Sequence, residues 1–345
     1  MMEERYDINF LREHSIGVLC KCGLPEADSS VVVESMLQAD MNGISTHGIR
    51  MIYSYVHKFE RGDFNIGTST IVKESPAFTV LDANNIVGAV SANRAIEICS
   101  EKAHKYGMHT VFARNCNTFG PGFYYVEQLA NEGLIGFVCC NTPAAMPAYN
   151  GLEPMLGTNP LAFACPSRKK GTILLDMATS IVAKSRFETA RLNGETLPLG
   201  WAVDKEGKPT TDPIEAIKGF VLPMAGFKGY GIAMAIDILS GFLSGAAYLN
   251  KVNKFYSTNG GGMNVGQLFM AIDPRIVYEG DFQSDMDDYI DTLRNSKVVE
   301  GHTIALPGDD RIAKKQSSLN NGIVLSSDSV EKLESIFGVE LKKAK

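Results

Sequence analysis

Apolar residues recur at helical intervals from residue 8 to residue 60. Leu11, Ile16 and Leu19 form one set and Val31 to Leu37 another, with Gly23 and Gly43 as punctuation. This predicts an N-terminal helical region. Between 78 and 140 the period switches back and forth. Phe78-Thr79-Val80-Leu81-Asp82 predicts a strand, with a turn after it at Asn84-Asn85. Ala92, Ala95, Ile96, Cys99 and Ala103 predict an amphipathic helix over 91–106. Thr110-Val111-Phe112-Ala113 predicts a strand, Phe123 to Glu132 a helix closed by Gly133, and Leu134 to Cys140 a buried strand. Strand, helix, strand, helix, strand is the rhythm of an α/β layer.

From 141 to 180 the pattern loses its period. Pro143, Pro147, Pro154, Pro160 and Pro166 interrupt it, leaving room for short strands at Leu161 to Ala164 and Ile173 to Leu175. A long irregular stretch of this kind usually binds something. Residues 181–194 read as helix and 199–213 as a polar loop. Gly226-Phe227-Lys228-Gly229-Tyr230-Gly231 leads into an apolar helix over 232–244, and Gly260-Gly261-Gly262 reads as a flexible loop. The tail predicts helices at 285–294 and 328–336 with a Gly/Asp turn at 307–310.

Length adds the expectation of about two domains for these 345 residues. Net charge is −6, and basic residues cluster only at Lys314-Lys315 and Lys342-Lys343, which argues against a nucleic-acid surface. Seven cysteines sit mostly in apolar runs, and Cys20 and Cys22 are spaced CxC with no matching pair. Neither a metal site nor a disulfide framework is expected; reduced thiols in a cytoplasmic protein fit better. Met1 to Asp7 is charged and lacks an apolar signal core. Ile232 to Leu243 is broken by Asp237, Ser240 and Gly241, so no stretch approaches the roughly 20 residues that span a bilayer.

Candidate chemistry concentrates at Asp40-Met41-Asn42-Gly43-Ile44-Ser45-Thr46-His47-Gly48-Ile49-Arg50. His47 can move a proton near neutral pH, Thr46 can orient it, and Arg50 can grip a carboxylate with two parallel hydrogen bonds. A lone histidine is more often structural, as expected for His14, His57, His104 and His109; bracketing glycines and the nearby guanidinium set His47 apart. Lys228 between glycines suits an approach to phosphate or ribose, against the plain reading of a solvated loop lysine. Asp176 ends a predicted strand, where it can accept hydrogen bonds from a ligand or cap the next turn. No GxGxxG opens a βαβ unit and no metal signature appears, so a standard Rossmann site is disfavoured.

Several runs in order resemble the type-2 malate/L-lactate dehydrogenase family. They are Asp40 to Arg50, Leu156-Gly157-Thr158-Asn159-Pro160-Leu161-Ala162, Leu175-Asp176-Met177-Ala178-Thr179-Ser180, Gly200-Trp201-Ala202-Val203-Asp204, Pro209-Thr210-Thr211-Asp212-Pro213 and Lys228-Gly229-Tyr230-Gly231. The resemblance implies a mixed α/β, non-Rossmann nicotinamide-binding fold with an N-terminal helical region. Residues 1–75, joined by 275–345, would carry the His47/Arg50 site, and 76–274 would form the cofactor-binding domain. It further implies a homodimer, His47 as acid/base, and Thr46, Arg50 and Thr118 at the substrate. Thr142, Asp176, Met177, Ala178, Thr179, Lys228, Gly229, Gly308 and Asp309 would hold the nucleotide.

Two departures stand out. Many relatives have a histidine where this chain has Thr118, in Asn117-Thr118-Phe119-Gly120. A threonine cannot serve as a base near neutral pH, so either proton transfer falls to His47 or the substrate differs. Ser185-Arg186 replaces a frequent Gly-Lys, and Arg186 is a candidate for a 2′-phosphate. The expected reaction is hydride transfer between NAD, with NADP as the alternative, and a small polar 2-hydroxy or 2-oxo acid. Competing readings are cyclic imine reduction and an inactive ligand-binding relative.

Overall fold

The computed structural model describes residues 4–257 and 260–344, so part of the charged Met1 to Asp7 segment lies outside the described residues. The N-terminal periodicity becomes three helices, α1 (Ile8–Lys21), α2 (Glu26–Met41) and α3 (Met51–Glu60). Asp7 caps α1 by accepting from the Phe10 N–H at 2.8 Å. Gly43, at φ +76°, ends α2 in the left-handed region and turns the chain toward His47.

Seven strands form the main sheet: β1 (Thr70–Glu74), β2 (Phe78–Asp82), β3 (Met108–Cys116), β4 (Ile135–Cys140), β5 (Leu161–Cys165), β6 (Ile173–Met177) and β7 (Val265–Ile272). Their spatial order is β1-β2-β3-β7-β4-β5-β6. The parallel pair β2/β3 is joined by α4 (Gly88–Tyr106). Strand β7 runs antiparallel between β3 and β4, and β4, β5 and β6 pair antiparallel in turn. Helix α5 (Phe123–Asn131) connects β3 to β4. The sheet is thus mixed, as the sequence led us to expect, and differs from a doubly wound parallel sheet. The short strands read at 161–164 and 173–175 belong to this main sheet. The central strand β7 was not foreseen.

Helices α6 (Ser185–Asn193), α7 (Pro213–Lys218) and α8 (Phe227–Ile236) pack with a three-stranded sheet of Ala202–Val203, Pro209–Thr210 and Phe220–Val221. Met146, Phe187, Leu197, Val221 and Ala233 form their separate small core. The segment read as a polar loop at 199–213 therefore carries two of these strands. Helix α8 continues into a wider turn over Asp237–Phe242. The chain closes with α9 (Pro274–Val277), α10 (Phe282–Arg294), α11 (Asp309–Asn321) and α12 (Ser327–Phe337). The main core is continuous from Leu11, Leu37 and Ile52 through Leu81, Val111, Phe123 and Phe269 to Leu333. All seven cysteines are free, five of them buried. Among the described residues, no helix is long and apolar enough to cross a membrane.

Candidate active site

Helix α2 ends on Asn42, whose Nδ2 donates to the Gln38 carbonyl at 2.8 Å. One 3-10 turn, Ser45–His47, follows before α3 begins. Asp40, on the last turn of α2, reaches under this loop. Its Oδ2 accepts from the Ile49 N–H at 2.6 Å. Gly48 lies so close that a Cβ there would sit 1.9 Å from Asp40 Oδ1. The glycine is needed for that approach. Burial pushes the Asp40 carboxyl up to about 7, opposed by the Ile49 N–H and the Arg50 guanidinium.

Above this clamp, Thr46, His47 and Arg50 are exposed. His47 Nδ1 lies 3.0 Å from Thr46 Oγ1. The hydroxyl can donate to this nitrogen or accept from it, so Nε2 is left to face a substrate as donor or acceptor. Desolvation by the surrounding protein holds the imidazole below its ordinary value, and Arg50 adds repulsion. Water reaches the ring although the surrounding protein desolvates it, and both the desolvation and the Arg50 charge favour its neutral form. The arrangement can transfer a proton beside a fixed positive charge.

A second group of candidate residues gathers at the edge strand of the sheet. Asp176, near the end of β6, accepts from the Phe123 N–H at 3.1 Å and so caps α5 from outside that helix. Burial raises its carboxyl above the usual value, while Arg311 is the largest opposing influence. Gly308, at φ +102°, brings its backbone against Leu174, and the Leu174 N–H donates to the Pro307 carbonyl at 2.9 Å. The Asp309 carboxylate is committed to the Leu306 N–H at 2.8 Å and to Arg294 at 2.9 Å. Met177 and Ala178 are half-buried, whereas Thr179 is buried and its hydroxyl donates to the Thr158 carbonyl at 2.9 Å.

Thr142 is held at the end of β4 by Asn159, whose Oδ1 accepts from the Thr142 N–H at 3.0 Å. Asn159 Nδ2 reaches the Ala233 carbonyl at 2.8 Å, which links this strand end to α8. On the first turn of α8, Lys228 is exposed and has no hydrogen-bond or ion-pair partner among the described residues. Gly229 packs beneath it, where a Cβ would meet the Met224 carbonyl at 2.2 Å. Next to this turn is a mainly apolar cavity of about 480 Å³, lined among others by Tyr149, Leu152, Ile181, Leu222 and Pro223. A polar recess of about 390 Å³ around Asp82, Asn85 and Asn115 contains none of the candidate residues.

Thr118 is half-buried in the loop before α5. Its neighbour Asn117 anchors the loop, donating to Asn85 and Ile86 and accepting from the Met263 N–H at 3.0 Å. The structure therefore forms three groups, Thr46/His47/Arg50, Asp176/Gly308 and Thr142/Lys228, the last linked through Asn159. Among the described residues, no hydrogen bond or ion pair joins His47 to Asp176 or Lys228. Reading the sequence missed Asp40, Asn159 and Arg311 as supports of these groups. The first two lie inside the motif runs, where a polar residue at a buried position was the available signal. Arg311 offered none.

A sequence profile described as malate/L-lactate dehydrogenase matches residues 6–334. The L-sulfolactate dehydrogenase of Methanocaldococcus jannaschii is 38% identical over 296 residues, 85% of each chain. The solved structure of sulfolactate dehydrogenase from that organism superposes with a TM-score of 0.91 at 35% identity, covering 97% of this chain and 98% of that one. The ureidoglycolate dehydrogenase (NAD(+)) of Escherichia coli O157:H7 is 33% identical, covering 90% of this chain and 89% of its own. The (2R)-3-sulfolactate dehydrogenase (NADP(+)) of Chromohalobacter salexigens is 29% identical, covering 88% and 89%.

Proposed function

The chain belongs to the malate/L-lactate dehydrogenase family, and from that premise we propose that it is an NAD(P)-dependent oxidoreductase acting on a small polar 2-hydroxy or 2-oxo acid. The observation that carries this reading is the solvent-accessible Thr46–His47 pair with the Arg50 charge acting on it. When bound, the nicotinamide supplies or accepts the hydride at C4.

The chain's own residues fit such a coenzyme. Lys228 presents an unpaired positive charge on the first turn of α8, where exposed N–H groups also favour an anion. The neighbouring apolar cavity suits a flat base. Asp176 offers a carboxylate that hydroxyl or amide donors can use.

Arg50 holds the substrate carboxylate and so fixes the C2 carbon. His47 gives its proton to the developing alkoxide oxygen during reduction and takes it back during oxidation. The ring is protonated at both nitrogens when it gives up the Nε2 proton, and Thr46 Oγ1 accepts from Nδ1–H before and after the transfer, holding the tautomer whose Nε2 faces the substrate. Thr118 contacts substrate and does not titrate, which leaves proton transfer to His47 alone. NAD is the expected coenzyme. A 2′-phosphate would turn to Arg186, exposed in the first turn of α6. We place the protein in the cytoplasm as a homodimer.

The test is NADH and NADPH oxidation with a panel of oxaloacetate, pyruvate, sulfopyruvate, the ureidoglycolate-derived oxo acid and a cyclic imine. An oxo acid should be reduced at rates well above the imine, with NADH preferred. His47→Ala should lower turnover by about 10²–10⁴-fold while NADH binding stays near wild type. In the oxidation direction, wild-type kcat/KM should be flat at neutral pH and fall below the ordinary histidine range, because His47 must be neutral to accept the proton. Turnover near wild type in His47→Ala would remove the assignment.

A further inference from the structure

We propose that Arg311 is a positioning residue for the nucleotide half of the site, and that α11, which carries it, fixes that half against the α2 end bearing the His47 loop. The inference rests on the reading of Asp176 as a nucleotide residue. Helix α11 buries almost no apolar surface; Ser318 is its one buried residue. What it presents inward is polar. Arg311 Nη2 donates to the Asp176 carbonyl at 3.3 Å, and Nη1 lies 3.7 Å from Asp176 Oδ2. The guanidinium carbon sits 4.6 Å from the centre of the Phe123 ring. Both charged side chains are only 13% exposed.

The carboxylate is therefore held from two sides, by the first N–H of α5 and by the arginine. An arginine suits the place because its plane stacks on the ring while its edge donates; a lysine keeps the charge and loses that geometry. One and two turns further along, the helix grips its other neighbours. Lys315 Nζ pairs with Glu127 Oε1 of α5 at 3.4 Å, and Ser318 Oγ donates to the Met41 carbonyl at 3.3 Å. The Lys314 stem lies over Gly43, the residue that turns the chain toward His47. A single rigid helix thus touches the Asp176 strand, the helix that Asp176 caps, and the turn leading to His47.

A buried ion pair is by itself weak evidence for stability, because desolvation offsets its attraction. That leaves alignment of the site as the return on burying a guanidinium here. The experiment compares Arg311→Met, Arg311→Lys and Asp176→Asn in the full-length protein. NADH binding is read from its fluorescence without substrate, together with KM for NADH, kcat and melting temperature. Arg311→Met should weaken NADH binding and raise its KM by about tenfold or more, the scale of one lost charge-assisted contact. Saturating kcat should change less, and Arg311→Lys should recover part of the loss. A role confined to architecture would lower the melting temperature and leave NADH affinity of the folded variant within about twofold of wild type, which overturns the proposal. Should Arg311→Met not fold, the same threshold is read from Arg311→Lys. If Asp176→Asn leaves NADH binding unchanged, the nucleotide reading of Asp176 fails, whatever Arg311 does.

Discussion

Asp40 and His47 are seven residues apart and are pushed by the same burial in opposite senses. The carboxyl is raised to about 7 and the imidazole is lowered, since in each case desolvation disfavours the charged form. The consequences for stability are opposite in sign. The native state binds the Asp40 proton more tightly than the unfolded chain does, so that contribution is complete below the ordinary carboxylate range and is lost as pH rises through about 7. His47 binds its proton less tightly when folded, so its contribution is lost as pH falls below the ordinary histidine value. In the wild type the two partly cancel in mildly acid solution. Asp40→Asn keeps an acceptor for the Ile49 N–H and removes the carboxyl titration. The stability difference, wild type minus Asp40→Asn, should therefore grow in favour of wild type as pH drops from about 8 to about 5. Urea unfolding at both pH values measures it; a constant difference would show that Asp40 does not titrate in this window.

At the scale of elements, the His47 loop depends on the close approach of Gly48 to α2. Gly48→Ala puts a methyl into Asp40, so the loop must lift or the carboxylate must turn away. Overpacking of this kind costs about 1–3 kcal/mol. A lower melting temperature should accompany a fall in kcat larger than any change in NADH binding, because the displacement is on the proton-transfer side. Unchanged kcat would mean the clamp does not set the loop. Elements whose burial left a period in the sequence were legible: α4, α5 and β2 each bury one consistent face, whereas α2 and β4, buried on more than one side, were legible as apolar runs of helix and strand length. Strand β7 is covered on both sides and has almost no polar alternation, so Val265 to Ile272 carried no strand period. Helix α11 fails for the converse reason. Its contacts are made by Arg311, Lys315 and Ser318, and a polar inner face looks like a solvated one. The candidate site divides the same way. Motif runs exposed Thr46, His47, Arg50 and Asp176 and contained Asp40 and Asn159, whereas Arg311 meets Asp176 across a separation of 135 residues that no local spacing encodes.

On the whole molecule, one surface is out of keeping with the rest. Helix α8, with Lys228 in its first turn, buries Gly229, Ala233 and Ile236, yet it and the wider turn that continues it expose Phe227, Met234, Ile238, Leu239, Phe242 and Leu243. Phe242 is 61% exposed and Leu243 58%. An apolar strip of this length on a free monomer would promote association, and a second copy of the chain is the occupant we propose for it. The strip shares its helix with Lys228, and its wider turn is tied to the sheet through Asp237 and Asn141, which pair at 3.1 Å. Covering the strip therefore bears on the proposed nucleotide residue Lys228 as well as on solubility. Phe242→Asp combined with Leu243→Asp should shift the mass measured by light scattering from twice the chain to one chain. It should also raise KM for NADH, because the helix that presents Lys228 loses its support, while the His47 loop, attached to α2, keeps its pH profile. A wild-type protein that is already monomeric, or a double variant that remains dimeric, would reject this face as the interface. A monomeric variant with unchanged KM would separate assembly from nucleotide binding, leaving the strip an interface without a part in the site.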